Sequence, residues 1–166
     1  GSIYERNPIK TKNFEFWGDG CRFTDDTVMT LAVADAITEH KKSGADFKET
    51  LVKKMQEFGR KYPFAGYGKS FANWIYSECP KPYNSFGNGS AMRVSACAWL
   101  FDDLESVIQY AKMSAEVTHN HPEGIKGAEA VAAAVFLAKQ KHSKEEIKNY
   151  IEDNYYPLNI KLNEIR

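Results

Sequence analysis

Apolar residues along this chain recur mostly at steps of three and four, the spacing that gathers side chains on one face of an α-helix. The first such run, from Asp25 to about Lys41, is apolar around most of its circumference. That pattern is typical of a central, buried helix. A second run starts after Asp46, a candidate N-cap, and ends before Pro63. These signals predict two helices in the first part of the chain.

The middle of the chain is predicted to be rich in loops. Residues 62–68 lack a helical pattern, and residues 79–89 are rich in Pro, Asn and Gly. This composition favours a loop with unusual backbone angles. Between the two loops, a short helix is expected to contain Phe71, Trp74 and Ile75.

Helical spacing returns over residues 91–101 and 104–115. Pro122 stands where a first-turn proline belongs, and an alanine-rich helix follows it. Ser143 and Glu146 form a capping box for a final helix. No segment has the alternating β-branched pattern of a strand. The sequence therefore predicts an all-α fold of about seven helices, in which residues 1–166 form one domain or a large part of one.

Composition and charge limit the classes of protein to which this chain can belong. The chain has 166 residues, of which 43% are apolar and 27% charged, which is ordinary for a globular protein. Its 22 basic and 22 acidic residues cancel, so the usual electrostatic attraction to nucleic acid or to an anionic membrane is missing. We expect no nucleic-acid partner and no membrane partner, while a local site for a small anion stays open.

Three features bear on the cellular compartment. The longest apolar run, residues 130–138, has nine residues, whereas a membrane-spanning helix needs about 20. The first residues contain no apolar signal core. Three widely spaced cysteines, Cys21, Cys79 and Cys97, suit neither a disulfide framework nor a structural zinc site. Reduced thiols in a cytoplasmic protein are the expected state.

The first candidate for chemistry is the segment 24–27, Thr-Asp-Asp-Thr. Thr24, Asp25 and Asp26 are ordinary N-cap and first-turn residues, because the helix N-terminus favours side-chain oxygens and negative charge. A cap needs only one oxygen, however, and consecutive oxygen-bearing side chains also suit a hard cation such as Mg²⁺. Both interpretations stay open on spacing alone.

The second candidate is the segment 87–93, which contains Gly87, Asn88, Gly89, Ser90 and Met92. Its glycines would let the backbone approach a ligand closely, and the N–H groups of the following helix could face a phosphate or diphosphate. The alternative is a plain loop-to-helix junction capped by Ser90.

A third candidate is the run from Thr118 to Pro122, which contains His119 and His121. The pair could bind zinc, but matching further ligands are missing from the sequence nearby. A polar loop that hydrogen-bonds a ligand, with one histidine as a helix cap, is the favoured interpretation. Asp102 and Asp103 are interpreted as another cap.

Four segments together resemble the motifs of the ADP-ribosylglycohydrolase family, in the family's order. They are residues 1–5, residues 23–27 with the helix after them, residues 87–93, and Thr118-His119 with the alanine-rich helix. The resemblance implies an all-α fold. It also implies a hydrolase that cleaves the glycosidic bond between ADP-ribose and a modified protein side chain or a related ADP-ribosyl compound.

The resemblance assigns roles to individual residues. Thr24, Asp25 and Asp26 would be ligands in a dinuclear Mg²⁺ site, and Glu5, otherwise ordinary surface, would be the acid/base carboxylate. The two aspartates would thereby take part in catalysis. Gly87, Asn88, Gly89, Ser90 and Met92 would bind the diphosphate or the distal ribose, and His119 would contact the bound ADP-ribose.

The sequence departs from the family pattern at both ends. The family's Gly-rich first helix and its Gly-Gly-Asp-x-Asp-Thr type motif, which supply further metal ligands, have no counterpart in these residues. We therefore expect a partial Mg²⁺ site, exposed apolar surface and self-association. The alternative function is a catalytically inactive ADP-ribose-binding protein or a purely structural member of the family.

Overall fold

Seven α-helices and no strand lie in the part of the chain that the structure describes, residues 2–4, 7–9, 11 and 13–159 of a computed structural model. The helices are α1 (Asp25–Ser43), α2 (Phe47–Lys61), α3 (Lys69–Ile75), α4 (Ser95–Leu100), α5 (Leu104–Glu116), α6 (Pro122–Lys139) and α7 (Lys144–Asn154). Ser2–Tyr4 and Ala91–Arg93 form short 3-10 helices. The prediction of an all-α fold is confirmed.

Helix α1 is central, as its apolar pattern predicts. It packs against α2, α4 and the 3-10 helix Ala91–Arg93. Its fully buried side chains include Met29, Val33 and Ile37. Acidic residues occupy its first turn and basic residues its last, in the sense that stabilises the helix dipole. Gly44 then ends the helix at a φ of 72°, a conformation that favours glycine.

The second half of the core is the packing of α5 on α6, with α4 lying against both. Small residues on α6, among them Ala128 and Ala132, are fully buried and allow close approach of the neighbouring helices. The 3-10 helix Ala91–Arg93 lies between α1 and α6. The loop that precedes it is therefore held where the two halves of the core meet.

Most of the predicted helix ends are confirmed. The Asp46 side chain accepts from the Glu49 N–H at 2.9 Å, and Asp103 accepts from the Ser106 N–H at 2.7 Å. Ser143 and Glu146 form the full capping box. Local sequence signals thus fix the starts of α2, α5 and α7.

The three cysteines are all free, with Cys97 buried and Cys79 exposed. Among the described helices, none has both the length and the apolar character needed to cross a bilayer.

Candidate active site

A cavity of about 430 Å³ opens where the start of α1, the start of α3 and the loop before α4 meet. Six of the residues predicted to form the site line it: Asp25, Gly87, Asn88, Gly89, Met92 and His119. Lys69, Tyr83 and Arg93 complete much of the remaining wall. Residues far apart in sequence therefore converge on one concave, partly polar surface, which is the usual form of a small-molecule site.

The start of α1 does not use Thr24 as its sequence suggests. Thr24 occupies the N-cap position, but its side chain makes no capping hydrogen bond. Instead its hydroxyl donates to Asp26 Oδ2 at 3.0 Å. The backbone N–H of Asp25 donates to the Ala65 carbonyl at 2.8 Å, which anchors the turn before α3 to this helix end. The capping interpretation of the Thr24 hydroxyl is thus wrong.

Tyr67 is a neighbour of Asp25 that sequence reasoning missed. Burial and, second, the charge of Asp25 raise the pKa of Tyr67 to about 12. Its hydroxyl is buried and has no hydrogen-bond partner among the described residues. The phenol therefore stays protonated at neutral pH and keeps a donor beside the aspartate. A lone tyrosine in a loop gives no sequence signal of this proximity.

The predicted unusual backbone of residues 79–89 is confirmed at Asn84, whose φ is 54°. Two hydrogen bonds hold this loop against the segment that precedes α6. The Tyr83 N–H donates to the Thr118 carbonyl at 3.1 Å, and the Asn84 N–H donates to Asn120 Oδ1 at 2.7 Å. The glycine loop and His119 are consequently parts of one anchored unit.

Ser90 faces away from this cavity. It is 1% exposed, and its hydroxyl donates to the Gly124 carbonyl at 2.7 Å. It lines a second, largely apolar cavity of about 490 Å³ between the loop, α6 and α7. Gly87 and Asn88 line both cavities, so the loop separates them. The structure thus pairs the Ser90 hydroxyl proton with a backbone carbonyl of the protein. The assignment of Ser90 to ligand binding stays a prediction.

His119 lies at the back of the first cavity and is 5% exposed. Its Nδ1 is 2.7 Å from Thr118 Oγ1. Burial and, second, the charge of Arg93 lower the pKa of His119 to about 4. The ring is therefore neutral at physiological pH and can both donate and accept a hydrogen bond.

His121 has the other role predicted for this pair. Its Nδ1 accepts from the Glu123 N–H at 3.1 Å and caps α6. Pro122 occupies the first turn of that helix, as predicted. The cap interpretation, rather than the zinc interpretation, describes His121.

Arg93 and Thr118 form the part of the site that sequence reasoning did not assign. Arg93 is 1% exposed and Thr118 is fully buried. Burial lowers the pKa of Arg93 to about 10, so it keeps its charge at neutral pH. An arginine after a glycine loop is ordinarily interpreted as surface, and no local pattern shows that this one enters the core.

The donors at the start of α1 fit Mg²⁺ in kind but fall short in number. Asp25, Asp26 and Thr24 offer carboxylate and hydroxyl oxygens, the ligands that Mg²⁺ prefers. Within the described ranges, no three His, Cys, Asp or Glu side chains come together as a metal site. These residues would therefore contribute only part of a coordination shell. Glu5, the predicted acid/base residue, lies outside the described residues.

The sequence of this chain is similar to a known protein family and to several of its members. A sequence model of the ADP-ribosylglycohydrolase family matches residues 2–161. ADP-ribosylhydrolase ARH3 of Gallus gallus is 32% identical over 71% of this chain and 35% of its own length. The Mus musculus and Homo sapiens proteins of that name are each 30% identical, over 79% and 75% of this chain.

Those matched regions make up 40% of the Mus musculus protein and 37% of the Homo sapiens protein. The chain thus spans well under half the length of the curated relatives it matches. The family match nevertheless extends over nearly all of its residues and agrees with the all-α architecture. This chain belongs to the ADP-ribosylglycohydrolase family.

Proposed function

We propose that this protein is a hydrolase that cleaves the glycosidic bond between ADP-ribose and a modified protein side chain or a related ADP-ribosyl compound. One observation carries the proposal: Asp25, the loop 87–89 and His119 line a single cavity. The names of the matched relatives, which are ADP-ribosylhydrolases, support the same activity.

The cavity wall suits the diphosphate and hydroxyl groups of ADP-ribose. Gly87 and Gly89 present backbone without side chains, so a ligand can approach the main chain closely. Asn88 offers amide donors, and neutral His119 offers one ring N–H. Lys69 also lines the cavity, and its positive charge favours an anionic ligand. The guanidinium of Arg93 is buried against Ser114 and Thr118 and adds positive charge behind the cavity wall.

The start of α1 would act at the reacting sugar. Thr24, Asp25 and Asp26 would hold Mg²⁺ there, with further ligands from water or from outside the described residues. When bound, Mg²⁺ lowers the pKa of a water molecule and orients ribose hydroxyls. Glu5 would take the proton from the attacking water and return it to the leaving group. Cleavage of a glycosidic bond passes through an oxocarbenium-like transition state at the sugar carbon.

A second candidate function is ADP-ribose binding without turnover by this chain. The described residues at the start of α1 supply two carboxylates and one hydroxyl, which would make up only part of a Mg²⁺ coordination shell. Binding through the glycine loop and His119 does not depend on a complete metal site.

Release of ADP-ribose from a protein ADP-ribosylated on serine or on arginine tests the proposal, with mass spectrometry as the readout. We expect Mg²⁺-dependent release that falls by about tenfold or more, or ~1.4 kcal/mol of transition-state stabilisation, in Asp25→Asn. Asp35→Asn, on the same helix and paired with Lys54 at 2.9 Å, is the matched control. Saturable ADP-ribose binding without release would favour the second candidate, and absence of both would overturn both.

We further propose that residues 1–166 belong to a single, partial ADP-ribosylglycohydrolase-like domain. We propose that this domain works in the cytoplasm and self-associates. The free state of the three cysteines supports a reducing compartment. Large apolar side chains at the surface support self-association, among them Leu31 at 54% and Trp99 at 63% exposed. Sedimentation equilibrium tests the self-association, and a monomer at all concentrations would contradict it.

A further inference from the structure

A buried row of hydrogen bonds connects α5 with the back of the cavity. Arg93 Nη2 donates to the Ser114 carbonyl at 2.5 Å and to Thr118 Oγ1 at 2.9 Å. Thr118 Oγ1 in turn lies 2.7 Å from His119 Nδ1. Arg93 is thereby joined to the histidine through a single hydroxyl group.

The direction of each hydrogen bond in this row follows from which of the three side chains can donate and which can accept. A guanidinium only donates, so Thr118 Oγ1 must accept from Arg93. If His119 Nδ1 also donated to that oxygen, the hydroxyl proton of Thr118 would need another acceptor. Thr118 is fully buried, and no other acceptor for it occurs among the described residues. A buried donor without a partner is costly, so the hydroxyl donates to His119 Nδ1.

The opposite edge of the imidazole faces the glycine loop. A Cβ atom built on Gly89 would lie 3.0 Å from both Cε1 and Nε2 of His119. His119 and Gly89 line the same cavity. With Nδ1 accepting from Thr118, the ring proton of neutral His119 is on Nε2, the nitrogen nearest the loop.

We propose that Arg93, acting through the Thr118 hydroxyl, fixes His119 as its Nε2–H tautomer and so presents a hydrogen-bond donor to an oxygen acceptor of the bound ligand. Arg93 and Thr118 are positioning residues, because they act through His119. The inference rests on the proposed function, in which the cavity binds ADP-ribose.

The surroundings of the row favour this arrangement. No carboxylate forms an ion pair with Arg93 in the described part of the chain. Tyr83 and Cys97 are the titratable neighbours of the guanidinium apart from His119. A buried cation beside the ring opposes a second positive charge on it, which keeps the imidazole neutral.

The tautomer can be read directly from the ring nitrogen shifts of His119 in the ¹⁵N-labelled chain without ligand. Subtraction of the His119→Gln spectrum assigns this ring among the four histidines. We expect a protonated Nε2 and an unprotonated Nδ1 at pH 7. A protonated Nδ1, or a charged ring, would overturn the proposal whatever the protein binds.

Variants of Thr118 test the positioning step. Thr118→Val removes the hydroxyl at nearly constant volume, and we expect a mixture of tautomers and a roughly five- to tenfold weaker affinity for ADP-ribose. Thr118→Ser keeps the hydroxyl and should restore both readouts. Thr50→Val, at a buried position of α2 outside the row, is the control for the loss of a buried threonine hydroxyl.

The two proposals fail in distinguishable ways. The Nε2–H tautomer together with no ADP-ribose binding in any protein would overturn the proposed function and leave the row of hydrogen bonds standing. An unchanged tautomer and affinity in folded Thr118→Val would overturn the positioning role alone.

Discussion

The Ser90 hydroxyl donates to the Gly124 carbonyl across 34 residues of sequence, at 2.7 Å. This bond joins the glycine loop to the first turn of α6. Gly124 has little room for a side chain, because a Cβ atom built on it would lie 2.6 Å from the Ser85 carbonyl oxygen and 3.0 Å from His119 Cβ. The loop, the histidine and α6 therefore meet at one residue without a side chain.

Replacement of Gly124 by alanine should disrupt this junction. The added methyl group meets backbone rather than a flexible side chain, so we expect a loss of about 1–3 kcal/mol in the free energy of unfolding. Urea denaturation measures it. Gly127→Ala is the matched control in the same helix, because its added Cβ would have only Tyr156 Oη at 3.9 Å. That control should gain about 0.5–1 kcal/mol, and equal stability of the two variants would contradict the account.

Gly89→Ala should act on the ligand site rather than on overall stability. Its Cβ would lie 3.0 Å from the His119 ring, so the ring or the loop must move by a few tenths of an ångström. We expect ADP-ribose affinity to fall by about tenfold, or ~1.4 kcal/mol. Gly68→Ala adds a methyl group to the same cavity where nothing lies within 4 Å, and its effect should be smaller. A larger loss in Gly68→Ala would argue against close packing of the loop on His119.

The burial of His119 predicts a pH dependence of stability. Its pKa falls from 6.5 to about 4 on folding, so the unfolded chain binds a proton in this interval and the folded chain does not. Stability should therefore decrease as the pH falls from 6.5 towards 4, with a slope of up to ~1.4 kcal/mol per pH unit from this residue.

Urea denaturation between pH 7 and pH 4 tests this. His119→Gln should show a shallower decrease than the wild type, and His142→Gln is the control for the loss of an exposed histidine. Parallel curves for His119→Gln and the wild type would show that the ring is not held neutral by the fold.

The cysteines should differ sharply in reactivity. Cys97 is fully buried, and burial raises the pKa of its thiol to about 12, whereas Cys79 is exposed. Because the thiolate is the reactive form, iodoacetamide at pH 8 should label Cys79 and leave Cys97 unlabelled until the chain is unfolded. Peptide mass spectrometry gives the two rates. Labelling of Cys97 as fast as Cys79 in the folded protein would contradict the packing of α4.

The helices and their caps were predictable from sequence because their causes are local. The buried apolar residues of α1 recur every three or four positions, and the capping box of Ser143 and Glu146 joins residues three positions apart. Both signals can therefore be recognised within a short stretch of sequence. The sequence spacing of Asp25, the loop 87–89 and His119 does not show that they meet. Their convergence was predictable only because the segments that contain them resemble motifs of the family, in the family's order.

The partners of the buried polar groups were not predictable. Arg93 reaches Thr118 across 25 residues, and no local pattern distinguishes it from a surface arginine. Thr24 looks like a cap, yet its hydroxyl donates to Asp26 because that carboxylate is also within reach. Such choices depend on which groups the tertiary fold removes from water.

Calorimetric titration of ADP-ribose into this chain, with and without Mg²⁺, measures directly whether the cavity binds this ligand. We expect saturable binding at one site that is weakened by His119→Gln, and Asp26→Asn should remove any enhancement by Mg²⁺. The absence of saturable heat in either condition, with a chain shown by circular dichroism to be helical, would contradict the claim that this cavity binds ADP-ribose.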